Sequence, residues 1–255
     1  MKLAISGKGG VGKTTIAAGL IRHFADQGYQ VYAVDADPDT SLGMVLGLPQ
    51  EKVGGLRPIA EMREVLTERA GGSGAFFSLN PEVEDLLQEY TIRHGNILFL
   101  KMGTVKPAGT ACYCRENTVL KAMVDSLILR HREMVVLDMG AGIEHLTRGT
   151  ARGVDLMLIV TEPTLVSLQT ARTIADLARQ LGIQRVGFVG NKIRRPADEE
   201  LIRQHLPPEE VIGMVPFQTE LLDQAAGLET QDASVPAGIA ELATRIADLA
   251  ARVPG

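Results

Sequence analysis

Tryptophan is absent from this chain of 255 residues, aromatic residues make up only 4%, and cysteine occurs just twice. The first two scarcities leave the core to Leu, Ile, Val, Ala and Met. Two cysteines cannot build a disulfide scaffold. Long apolar runs are missing too: LMLIV at 156–160 falls far short of the roughly 20 residues of a membrane span. Met1-Lys2 leads directly into LAIS and a glycine-rich loop, with no secretory leader pattern, so a cytoplasmic setting with reduced thiols is expected. A basic excess is lacking as well. The net charge of −5 and a pI near 5.6 argue against a broad grip on nucleic acid or anionic lipid, and neither is expected as a partner.

What the chain does have is a rhythm. Short apolar runs at 2–6, 30–35, 96–100, 133–138, 154–160, 185–190 and 210–216 alternate with longer amphipathic stretches. Apolar runs without polar alternation suit a parallel sheet buried on both faces. The stretches at 14–28 and 166–182 read as helices; in the second, Leu168, Ala171, Ile174, Ala175, Ala178 and Leu181 form one stripe and Gly182 ends it. Ile239, Leu242, Ile246, Leu249 and Val253 mark one face of a final helix. The expectation is an α/β fold, a single-domain, doubly wound, mostly parallel sheet flanked by helices. Residues 48–95 break the rhythm with no obvious strand, and read as an excursion over the sheet.

SGKGGVGKTT at 6–15 lies between the first strand and the first helix, the setting a phosphate loop requires. Gly7, Gly12, Lys13 and Thr14 fit G-x-x-x-x-G-K-[ST]. Glycines let backbone N–H groups turn onto phosphate oxygens, and the helix N-terminus adds positive potential. Lys13 is expected on the β- and γ-phosphates and Thr14 on Mg²⁺. Lys8 makes the loop unusual, since so early a lysine is not needed by its own chain's nucleotide. With Lys8 the loop resembles the deviant Walker A motif of the MinD/ParA/nitrogenase-iron-protein ATPases. That resemblance implies that Lys8 reaches a partner's nucleotide and that Gly9, Gly10, Val11, Gly12, Lys13, Thr14 and Thr15 bind ATP or ADP. It also implies that Asp37, in DADPDTS, orients the attacking water, with Asp35 nearer the Mg²⁺ shell. Asp138, in VVLDMGAG, takes the place of a Walker B carboxylate. Asn191 and Lys192 of GNK, with Pro216 of VPF, fall at the adenine-reading positions.

Both cysteines sit in TACYCREN, as Cys112 and Cys114. Two thiols so placed can be a disulfide, a metal claw, a redox pair or packed small hydrophobes; a ring that small is strained, which counts against the disulfide. In an extended segment residues i and i+2 project to one side, so both sulfurs can face one ion. Two thiolates half-fill a tetrahedral or square-planar ion, and a twofold dimer supplies the other pair. CYCREN and DMGAGIEHLTRGTA at 138–151 are similar to the CooC-type accessory ATPases that mature nickel enzymes, and the resemblance runs through the whole chain. It implies ATP-dependent nickel delivery by a homodimer, with Cys112 and Cys114 as ligands in a metal loop within 101–131. Zn²⁺ is a competing occupant in purified protein. The implied client is carbon monoxide dehydrogenase, or the related acetyl-CoA synthase. His145 follows the Asp138 loop and reads as a structural or switch residue. Two rivals stand beside this: a MinD/ParA-like positioning ATPase, which wants a basic terminal helix, and an iron–sulfur carrier, which wants cysteines in separate segments.

Overall fold

The computed structural model describes residues 1–37, 41–59, 89–102, 132–141, 153–183, 185–219 and 235–251. In chain order these form β1 (Lys2–Gly7), α1 (Lys13–Asp26), β2 (Gln30–Ala36), α2 (Leu42–Val45), α3 (Gln50–Gly55), β3 (Ile92–His94) and β4 (Ile97–Lys101). After them come β5 (Glu133–Met139), β6 (Leu156–Thr161), α4 (Leu165–Gln180), β7 (Val186–Ile193), α5 (Pro196–His205), β8 (Val211–Pro216) and α6 (Ile239–Ala251). The strands make one eight-stranded sheet in the order β3-β4-β2-β5-β1-β6-β7-β8. Every pairing is parallel except β3 with β4.

The apolar runs become strands because both sheet faces are covered. On one face α1 and α6 pack Ile16, Leu20, Ile239, Leu242 and Ile246 against Leu3, Ile5, Val31 and Val136. On the other, the α4 stripe Leu168–Ala171–Ile174–Ala175–Ala178 and Ile202 of α5 cover Ala4, Leu137, Met157, Ile159 and Phe188. Burying a side chain of Leu or Ile size contributes about 1.5–3 kcal/mol, so the stripes rather than helix propensity hold these helices in place. Gly182 at φ 95 closes α4 as the sequence implies.

One expectation is corrected. Residues 48–95 were expected to hold no strand, yet Ile92–His94 form β3, antiparallel to β4 across Gly95 and Asn96. Three residues are too few to register a period, and Arg93 and His94 are exposed at the sheet edge, so no apolar run announces them. Residues 60–88 of that excursion, and 103–131 with the C-x-C, lie outside the described residues.

The topology places a crevice. The chain leaves β1 for β2, returns to β5 beside β1, then moves to β6 on β1's other side. Ligands of such sheets bind beyond the strands' carboxyl ends at this point of reversal. The loop after β1, the residues after β2, and the ends of β5, β6 and β7 all meet there.

Candidate nucleotide site

The loop from Gly7 to Gly12 joins a buried strand to a long helix, and the glycines at its two ends are required sterically. Gly7 has φ 154 and a Cβ there would strike the Val160 carbonyl; Gly12 has φ 94 and a Cβ would strike the Asn191 amide. No side chain caps the start of α1, and its first turn carries no acidic residue, so the leading N–H groups remain for an anion. Lys13 is 7% exposed, and among the described residues its Nζ donates only to the Lys8 carbonyl, at 3.5 Å. A desolvated ammonium with one long contact is poised for a phosphate.

Asp35 and Asp138 stand side by side, in register on the parallel pair β2 and β5, and both are fully buried. Asp35 accepts from the Leu42 N–H at 3.0 Å and the Asp37 N–H at 3.3 Å, which ties Asp37 and the start of α2 to the end of β2. Burial nonetheless pushes its carboxyl up to about 6. Burial pushes Asp138 further, to about 7; the Thr14 hydroxyl acts against this and Asp35 adds to it. Thr14 Oγ1 lies 3.3 Å from Ser41 Oγ, and although it favours the ionised Asp138, neither Asp138 oxygen has a hydrogen-bond partner of good geometry. Two orphaned acceptors, a second carboxylate and two hydroxyls therefore border one spot.

On the far side, β7 ends in a bulge. Gly190 pairs with Met214 and Ile193 with Pro216, so β7 carries one residue more than β8 in that interval, and Lys192 sits at φ 60. Asn191 Nδ2 donates to the Val11 carbonyl at 2.8 Å, and Lys192 Nζ donates to the Gly10 carbonyl at 2.7 Å. Glu162, just after β6, pairs with Lys192 Nζ at 3.1 Å. The Glu162 N–H donates to Ser167 Oγ at 3.2 Å, which fixes it at the head of α4. Pro216 is exposed at the end of β8.

Residues 2–229 match the family model described as the CobQ/CobB/MinD/ParA nucleotide binding domain. The chain is 42% identical over 239 residues to the carbon monoxide dehydrogenase accessory protein CooC of Rhodospirillum rubrum, covering 92% of this chain and 90% of that one. The chain belongs to the CooC-type ATPases of the MinD/ParA class. An uncharacterized ATP-binding protein of Methanocaldococcus jannaschii is also 42% identical to this CooC-type chain, over 87% of each. The MinD cell division protein of Aquifex aeolicus superposes with a TM-score of 0.65 at 22% identity, covering 99% and 98% of the two chains. MinD of Pyrococcus horikoshii, solved with Mg-ADP, gives 0.65 at 19%, covering 98% and 96%. At such identity these two show the fold, a P-loop NTPase sheet.

In the CooC-type chain the residues present fit Mg²⁺. Among the described residues no group of three or more His, Cys, Asp or Glu side chains forms a metal cage. Mg²⁺ beside a nucleotide does not need one, because it takes one or two carboxylates and fills its octahedron with waters and phosphate oxygens. Asp138, Asp35 and the Thr14 hydroxyl are hard oxygen donors of that kind. The structure brings together Lys8, Lys13, Thr14, Asp35, Asp37, Asp138, Asn191 and Lys192 around the loop. Cys112, Cys114 and His145 lie outside the described residues. Ser41, Glu162 and the orphaned hydroxyl of buried Ser6 were not singled out from sequence. Glu162 had a usable signal, a carboxylate at the carboxyl end of a strand facing the crevice.

Proposed function

We propose that this chain is an ATP-hydrolysing homodimer that carries nickel to the metal cluster of a carbon monoxide dehydrogenase, in the cytoplasm. The observation that carries this reading is the 42% identity to a carbon monoxide dehydrogenase accessory protein over nine-tenths of both chains. The C-x-C at Cys112 and Cys114 supplies soft thiolates for the cargo, and Zn²⁺ competes for them. Acetyl-CoA synthase is the alternative client. A positioning function on membranes finds no support in α6, where Arg245 is committed to Glu241 at 2.7 Å and to the Ile212 carbonyl at 3.2 Å. No helix among the described residues is long and apolar enough to cross a membrane.

This reading gives each residue a part. The loop N–H groups and Lys13 take the β- and γ-phosphates. Mg²⁺, when bound through Thr14, Asp138 and Asp35, neutralises charge building on the phosphate oxygens. Asp37, held by its own N–H against Asp35, orients the water. Lys8 reaches across to the partner's phosphates, where it stabilises transition-state charge as an arginine finger does. Asn191 and Pro216 border adenine. Closing the dimer on ATP brings Cys112 and Cys114 of both chains to one ion, and hydrolysis reopens it toward the client.

Anaerobic titration with Ni²⁺, followed by gel filtration, tests this. One ion shared by two chains is expected, with dimers formed even without nucleotide and tighter metal binding with ATP. Cys112→Ser and Cys114→Ser should each abolish the metal-driven dimer and spare ATP binding. Lys8→Ala should lose the ATP-driven dimer and keep the metal-driven one. An ion bound per chain by a monomer, or tight binding that survives both serine changes, would sink the shared site.

A further inference from the structure

We propose that Asn191 and Lys192 are positioning residues that aim the phosphate loop, each by pinning one of two consecutive peptide planes. The inference rests on the nucleotide reading above and says how its anion cradle is kept open. A trans peptide is planar, so its C=O and the following N–H point in opposite directions. Lys192 holds the Gly10 carbonyl at 2.7 Å, which turns the Val11 N–H away from β7. Asn191 holds the Val11 carbonyl at 2.8 Å, which turns the Gly12 N–H the same way. Those are two of the donors a phosphate loop directs inward. With Gly10 at φ 79 and Gly12 at φ 94, this stretch has wide backbone freedom of its own. Unpinned, its peptides could flip and present carbonyl oxygens to the phosphates.

The bulge explains how neighbouring side chains reach one loop. In an unbroken strand Asn191 and Lys192 would face opposite sides of the sheet. The extra residue in β7 and the left-handed Lys192 put both onto the same segment. A non-glycine residue at φ 60 is strained, and it persists where its surroundings hold it. Here the Gly10 carbonyl and the Glu162 carboxylate, 3.1 Å from the ammonium, do the holding. The Gly10 contact is charge-assisted, the stronger kind. Reading the base and aiming the loop predict different dependences on ligand, because only the first involves adenine.

The test compares Mg-ATP, Mg-GTP and inorganic tripolyphosphate, which has no base, on the full chain by calorimetry. Lys192→Met should weaken all three alike, by about tenfold or more, as loss of a charged hydrogen bond implies. Lys192→Arg should recover most of it. The ³¹P resonance of bound ADP's β-phosphate should move in Lys192→Met and return in Lys192→Arg, which a loss of overall stability would not produce. Glu162→Gln, which leaves the bulge intact, should show a smaller loss of the same ligand-independent form. A loss confined to ATP, with tripolyphosphate unchanged, overturns the inference in favour of base reading. Unchanged affinity for all three in Lys192→Met overturns it outright. If the parent binds none of the three, the nucleotide reading itself fails and this inference with it.

Discussion

Replacing Lys13 by methionine is expected to weaken Mg-ATP binding at least a hundredfold, as loss of a buried, charge-assisted phosphate contact implies, while leaving the ligand-free protein as stable as before or more so. Both halves come from one observation. Lys13 is 7% exposed, and among the described residues its ammonium donates only to the Lys8 carbonyl, at 3.5 Å. A buried cation with one long hydrogen bond costs free energy that the nearby Asp138 carboxylate offsets only in part. The apolar methionine removes that cost together with the phosphate contact. Asp37→Ala divides the chemistry the other way. Asp37 is partly exposed and its N–H is held by Asp35, so nucleotide affinity should stay within a fewfold. Turnover should fall by about a hundredfold or more, the scale of a lost water-orienting carboxylate. Calorimetry with Mg-ATP and phosphate release measured on both variants decide it. A Lys13→Met chain that binds ATP like the parent removes Lys13 from the site, and full turnover in Asp37→Ala removes that residue from the mechanism.

The strands that carry the site were legible because each is buried on both faces and therefore written without polar alternation. β1, β2, β5 and β6 begin within two residues of their apolar runs. β3 was not legible, since an exposed three-residue edge strand leaves neither a run nor a period. Of the site, the phosphate loop was readable because glycine spacing reports backbone demands directly. Asp35 and Asp138 were readable because they end strands, yet their register neighbourhood depends on which strands pair, and β2 lies beside β5 only once the whole sheet is ordered. The contact from Lys192 to Gly10 spans 182 positions and passes through a bulge. Pattern alone gives GNK as a motif and cannot say which side its lysine faces. Ser41 and Glu162 owe their places to turns that sequence does not encode by period.

Replacing Asp138 by asparagine should stabilise the ligand-free protein at pH 8 and abolish the extra stabilisation by Mg-nucleotide. Asp138 is fully buried beside Asp35 with both oxygens unpartnered, and its carboxyl is raised to about 7 from an ordinary 3.8. Below pH about 4 the group is protonated in folded and unfolded chains alike and costs nothing. As pH rises toward 7 the unfolded chain gives up the proton while the folded chain keeps it, so stability falls through that window and levels off above it. Asp35, raised to about 6, adds a loss of the same sign. The asparagine cannot ionise and escapes Asp138's share; its amide brings unmet hydrogen bonds of its own, leaving a gain of about 1–3 kcal/mol at pH 8. For a chain of this size that is roughly 2–6 °C in Tm. The difference between variant and parent should be small or reversed at pH 4 and grow steadily to pH 8, so it is the difference, rather than either curve alone, that isolates this carboxyl from groups such as Asp198 that shift the other way. Mg-ATP should raise the parent's Tm more at pH 8 than at pH 5, because the cation needs the ionised form, and should raise the variant's little at either. Thermal unfolding of both proteins from pH 4 to 8, with and without Mg-ATP, measures all of this. A variant less stable than the parent at pH 8, or one that Mg-ATP still stabilises fully, would show that the buried pair is not the metal's seat.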